Sequence, residues 1–136
     1  MILVDSNVLL DVVTTDPTWA NWSQAALEHA ASRDRLAIND VIYAELSVRY
    51  TRIEDLDAMV AQASATVEPI PRAALFLAGK IFQQYRAAGG TRTGVLPDFF
   101  IGAHAATVGA PLITRDPRRY RTYFPSLTLI APGGAP

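Results

Sequence analysis

Apolar residues fall in short continuous runs along this chain, and segments with helical spacing separate them. Ile2-Leu3-Val4 is the first run, and it stops at the polar stretch Asp5-Ser6-Asn7. Such a run reads as a buried strand ending at Val4 or Asp5. Val8, Leu9, Val12 and Val13 then share one face of a short helix, which Asp16-Pro17 breaks. The spacing predicts a helix over 18–32, a strand at 36–38, and a helix from Asn39 or Asp40 to residue 50. Another helix is expected over 53–63, and a strand over 66–70 that Pro69 confines to a sheet edge. A long helix over 71–88 is closed by Gly89-Gly90. Residues 91–95 read as a loop, and Pro97 opens a helix that Gly109 ends. Strands follow at 110–114 and 127–130, with a helical turn at 117–120 between them.

Strands alternate with helices and are apolar throughout, rather than at every second position. This pattern belongs to an α/β fold with a mostly parallel central sheet, helices covering both faces in three α/β/α layers. Residues 1–131 form one domain on this reading, and 132–136, rich in proline and glycine, form a flexible tail. Ligand sites of such sheets lie beyond the carboxyl ends of the strands.

Composition narrows the chemistry. The chain has 136 residues, half of them apolar, enough for one domain with a core that needs no staples. With no cysteine, disulfide frameworks, thiolate catalysis and Cys-based zinc sites are excluded. The opening reads as a strand rather than a signal peptide, and no apolar stretch is long enough for a membrane span, so a cytoplasmic location is expected. The net charge of −1 conceals an uneven distribution. Residues 1–68 carry four arginines against eleven acids, whereas 69–136 carry eight basic residues against only Asp98 and Asp116. A basic half suits a partner bearing phosphates.

Four acids stand out against this frame. Asp5 ends the first strand, and Asp116 follows Leu112-Ile113-Thr114 by two residues, so both belong at the carboxyl edge of the sheet. Asp98 lies in the first turn of the helix opened by Pro97. Glu45 is mid-helix on the phase of Val41, Ile42 and Val48, a costly place for a carboxylate unless a cation meets it. Each acid also has an ordinary reading: a helix cap for Asp5, dipole complementation for Asp98, a turn for Asp116, a side chain reaching solvent for Glu45. A single oxygen-ligated site for a hard divalent cation accounts for all of them together.

The same segments carry a family resemblance. Ile2-Leu3-Val4-Asp5-Ser6-Asn7-Val8-Leu9-Leu10 resembles the opening of PIN-domain proteins, an apolar strand followed by Asp-Ser/Thr-Asn. Tyr43-Ala44-Glu45-Leu46 is similar to the family's glutamate-bearing helix. The segment from Leu96-Pro97-Asp98 to Ala105 is similar to its third motif, and Leu112-Ile113-Thr114-Arg115-Asp116 to the strand delivering the fourth acid. The nearest subgroup is the VapC toxins of bacterial toxin–antitoxin pairs. The resemblance implies a PIN-like fold and a metal-dependent endoribonuclease that cuts single-stranded RNA. It implies Mg²⁺ or Mn²⁺ held by Asp5, Glu45, Asp98 and Asp116, some directly and some through water. It also implies a homodimer and a VapB-type antitoxin partner lying in an apolar groove, which the helices over 20–31 and 40–50 could frame.

Around the acids, Ser6, Asn7 and Thr114 are candidates for supporting hydrogen bonds, beside local capping roles. Arg92, Arg115, Arg118 and Arg119 are candidate RNA-backbone contacts, as is Arg121, beside the role of ordinary solvated arginines. Tyr120 and Tyr123 read as core or partial-core residues, with base stacking as the alternative. His29 and His104 read as structural, and Trp19 and Trp22 as a helix face packed on the core or a partner. Two other classes compete with a nuclease. One is a PIN-like module that binds RNA or a partner without catalysis. The other is a receiver-type phosphotransfer domain, which Lys80, the one lysine, fits poorly because it lies on a mid-chain helix.

Overall fold

The computed structural model describes residues 1–133. Its strands are β1 (Ile2–Val4), β2 (Leu36–Asn39), β3 (Ala65–Glu68), β4 (Leu112–Ile113) and β5 (Leu129–Ile130). They form one sheet in the order β3-β2-β1-β4-β5, parallel at every pairing. The helices are α1 (Ser6–Val13), α2 (Ala20–Ala31), α3 (Asp40–Ser47), α4 (Ile53–Gln62), α5 (Arg72–Ala87), α6 (Pro97–Val108) and α7 (Arg118–Tyr123).

The expected three-layer α/β/α architecture with a parallel sheet is what the chain adopts. Leu3 and Val4 of β1, Ala37 and Ile38 of β2, and Leu112 and Ile113 of β4 are wholly buried. Helices cover the sheet, which is why these strands are apolar throughout. β3 lies at an edge, as expected, but it spans Ala65–Glu68 rather than 66–70 and stops before Pro69, so the proline ends the strand rather than interrupting it. The chain winds outward from β1 through β2 to β3, then crosses back to place β4 on the other side of β1. The sheet therefore switches direction between β1 and β4, and a crevice is expected at their carboxyl ends.

Local chemistry sets the element ends. The Asp5 side chain caps α1, accepting from the Ser6 N–H. Asn39 caps α3, its Oδ1 accepting from the Ile42 N–H at 2.9 Å. Its amide nitrogen meets Nδ1 of buried His104 at 3.1 Å, so this histidine ties α6 to the start of α3. Gly109 ends α6 in the left-handed conformation, at φ +69°. Gly102 is demanded by packing, since a Cβ there would stand 2.4 Å from the Phe124 ring.

Several helices are shorter than their apolar patterns suggest. α3 stops at Ser47, whose hydroxyl bonds back to the Ala44 carbonyl, and Val48 falls in the following turn, 83% exposed. Val48 therefore does not share a buried face with Glu45; Ile42 and Leu46 fill that face. Val13, at the last turn of α1, is also exposed. The turn expected at 117–120 extends into α7, which sends Tyr120 into the core. From residue 134 onward, the tail expected over 132–136 lies outside the described residues.

Candidate active site

Asp5 occupies the crevice at the switch point. It leaves β1 directly and is 4% exposed. Oδ1 accepts from the Ser6 N–H at 2.8 Å, while Oδ2 accepts from the Thr114 hydroxyl at 2.9 Å and the Tyr120 hydroxyl at 3.0 Å. These donors favour the charged carboxylate, but burial and the neighbouring Asp98 outweigh them. The Asp5 pKa is pushed up from 3.8 to about 6.

Glu45 comes from α3, half-buried, with the Ser6 hydroxyl 3.1 Å from Oε1. Burial raises its pKa from 4.5 to about 7, and the charges of Asp5 and Asp98 add to the effect. Asp98 sits in the first turn of α6. Its Oδ1 is 3.4 Å from the Tyr120 hydroxyl, and Arg119 reaches its Oδ2 at 3.2 Å. Tyr120 thus stands between Asp5 and Asp98, and its own pKa is driven well up by burial beside these acids.

Asp116 stands apart. Its side chain is 64% exposed, with the Arg118 guanidinium 3.7 Å away. Its backbone N–H bonds the Thr114 hydroxyl, which in turn donates to Asp5, so only its backbone is joined to the acid cluster. A surface depression lined by Asp98, Asp116, Arg118, Arg119 and Tyr123 lies beside the cluster.

The fold thus brings Asp5, Glu45 and Asp98 into one electrostatic unit and leaves Asp116 on its rim. The Ser6 hydroxyl bonds Glu45 and the Thr114 hydroxyl bonds Asp5. Asn7 instead accepts from the Arg115 backbone N–H at 3.2 Å. Of the candidate RNA contacts, Arg118 and Arg119 flank the depression, whereas Arg115 bonds buried Asp11 at 2.8 Å. Arg92 is exposed, and its backbone bonds Arg86 and the Tyr85 hydroxyl. Sequence reasoning missed the place of Tyr120 in the site and the buried Asp11 that bonds Arg115 beside it. Tyr120 reads from the sequence as core or partial core, with base stacking as the alternative, because nothing local marks that its hydroxyl would reach Asp5. Asp11 did carry a signal: it lies four residues after Asn7 on an otherwise apolar helix.

The donor set fits a hard divalent cation. Every candidate ligand is a carboxylate, and burial first, with the neighbouring acids adding to it, makes the charged forms of Asp5 and Glu45 costly, a cost that a cation would relieve. Among the described residues, no three acidic or imidazole side chains already close around a metal position. A small number of carboxylates with water filling the remaining positions is the usual arrangement for Mg²⁺. Also among the described residues, no helix is long and apolar enough to cross a membrane.

Known proteins share this architecture. The fold superimposes on a chain of VapBC2 from Rickettsia felis, solved bound to a promoter DNA fragment, with a TM-score of 0.73 and 19% identity, covering 96% of this chain and 98% of that one. VapBC-1 from nontypeable Haemophilus influenzae gives a TM-score of 0.70 at 20% identity, with coverage of 96% and 98%. FitAcB from Neisseria gonorrhoeae gives 0.67 at 16% identity, with coverage of 99% and 100%. No curated protein matches the sequence significantly. The family model of the PIN domain matches residues 2–125, and the chain belongs to the PIN-domain family.

Proposed function

We propose that this protein is a VapC-type toxin: an endoribonuclease dependent on Mg²⁺ or Mn²⁺ that cleaves single-stranded RNA. PIN domains are generally nucleases that depend on divalent metal, and the solved neighbours are VapBC and FitAB complexes. The observation that carries the reading is the convergence of Asp5, Glu45 and Asp98 at the switch point, where burial and the neighbouring acids raise the pKa values of Asp5 and Glu45.

On this reading, Asp5, Glu45 and Asp98 hold the ion and Asp116 joins them from the rim, directly or through water. When bound, the ion supplies an activated water at neutral pH and positive charge for the phosphoryl oxygens. Thr114 and Tyr120 fix the Asp5 carboxylate, and Ser6 fixes Glu45. Arg118 and Arg119, beside the depression, receive RNA phosphates. Arg119 exchanges its bond to Asp98 for a phosphate when RNA arrives.

The antitoxin partner belongs to the same reading. An apolar groove runs between α1, α2 and α4, lined by Leu9, Val12, Leu27, Ala31 and Met59. α4 thus replaces α3 as the second wall expected from the sequence; the inner face of α3, Ile42 and Leu46, is buried in the core. An apolar antitoxin segment fits this groove, within a homodimeric toxin acting in the cytoplasm.

An RNA panel incubated with Mg²⁺, Mn²⁺ or chelator, using wild type and Asp5→Asn, tests the reading. Metal-dependent cleavage is expected, with loss in the variant. Cleavage that survives both chelation and the substitution would overturn it. RNA binding without turnover would make the chain a non-catalytic module.

A further inference from the structure

The loop carrying Asp116 is held from below by a polar cluster outside the acid site. Asp11, on α1, is 2% exposed and carries a full side-chain environment. Its Oδ2 accepts from Arg115 Nε and from the Ser23 hydroxyl of α2, each at 2.8 Å. The Arg115 guanidinium also lies 5.7 Å from the centre of the Trp19 ring. One turn earlier on the same face of α1, Asn7 Oδ1 accepts the Arg115 backbone N–H. One helix face therefore grips both the backbone and the side chain of the residue directly before Asp116.

An ion pair between a buried acid and a half-buried arginine is a weak source of net stability, because desolvation offsets much of the attraction. What it supplies here is a fixed position. The Asp116 side chain is exposed, and the Arg118 guanidinium 3.7 Å away is more exposed still, so the location of Asp116 depends on the backbone that bears it. That backbone is tied at Thr114 to Asp5 and at Arg115 to α1. We propose that Asp11, acting through Arg115, is a positioning residue that sets Asp116 for metal binding and RNA cleavage. The proposal rests on the nuclease reading above. It also gives Arg115 a role other than phosphate contact.

The test compares wild type, Asp11→Asn, Ser23→Ala and the paired variant Asp11→Leu/Arg115→Met. The measurements are Tm, Mn²⁺ affinity by calorimetry, and kcat and KM on RNA. Asp11→Asn is expected to lower Mn²⁺ affinity or kcat by about 10- to 100-fold, the range for residues that orient ligands, with KM changed less. The paired variant removes both charges but leaves the buried Ser23 hydroxyl without its acceptor, so its Tm is expected to recover in part while metal affinity and kcat stay low. In an Asp116→Asn background, Asp11→Asn is expected to have little further effect, because both act through one group. Recovery of activity together with Tm in the paired variant, or full additivity with Asp116→Asn, would overturn the proposal. Wild type that binds Mn²⁺ and cuts RNA, matched by Asp11→Asn, would overturn this proposal alone. Wild type that does neither would overturn the proposed function and this inference with it.

Discussion

Asp5 and Glu45 carry most of the site's electrostatic cost. Each holds a proton more tightly in the folded protein than in the unfolded chain, with pKa values of about 6 and about 7 against 3.8 and 4.5. The stability linked to these groups is fully present below their unfolded values and is lost as pH rises through their folded values. Metal-free protein should therefore show a Tm that falls between about pH 4 and about pH 7. Mg²⁺ should raise Tm more at the upper end of that range, where the carboxylates are charged and need it. Thermal denaturation at fixed ionic strength checks this; an equal metal effect at both ends would contradict it. Tyr120 offers a second prediction. Tyr120→Phe keeps the ring and removes the hydroxyl between Asp5 and Asp98. A stability loss of about 1 to 3 kcal/mol is expected in urea denaturation, as for a buried hydrogen bond to a charged group.

At the scale of elements, α3 and α6 deliver two of the acids, so their anchoring matters more than their length. Asn39 begins α3 and engages His104 of α6 with the other end of its amide. Asn39→Ala should cost about 1 to 3 kcal/mol, from the lost cap and the stranded imidazole, read as a lower denaturation midpoint. α6 packs against the chain after α7 through Gly102, where even a methyl group would overlap the Phe124 ring. Gly102→Ala should destabilise by about 1 to 3 kcal/mol through overpacking, and the paired change Gly102→Ala/Phe124→Leu should recover part of the loss. Failure of the pair to recover would mean that the ring is not the obstacle.

For the whole molecule, the groove and the acid site share α1. Leu9 and Val12 line the groove, while Asn7 and Asp11 of the same helix grip the loop of Asp116. On the proposed function, partner binding and catalysis should therefore be separable by substitution. Met59→Asp, on α4, should abolish capture of an antitoxin peptide in a pull-down while RNA cleavage by the free toxin is kept. Loss of both would show that the groove and the site are one functional surface.

The sequence by itself determined the α/β class, the parallel sheet, the edge position of β3 and the acids at the strand ends. It could do so because strand burial and helical periodicity are written in nearest-neighbour hydrophobic patterns, and because chain order places Asp5 and Asp116 just after β1 and β4. What only the tertiary structure decided depends on distance between segments remote in sequence. Tyr120 reaches Asp5 across 115 positions and Arg115 reaches Asp11 across 104. Neither pairing is legible locally: Asp11 stands out on its helix, but the tyrosine in a short helix and the arginine in a basic half that reach these acids look ordinary. The early end of α3 at Ser47, which exposes Val48, and the exposed placement of Asp116 likewise depend on how the elements pack. Periodicity records which face of an element is apolar; it does not record which polar atom of a distant segment arrives beside it.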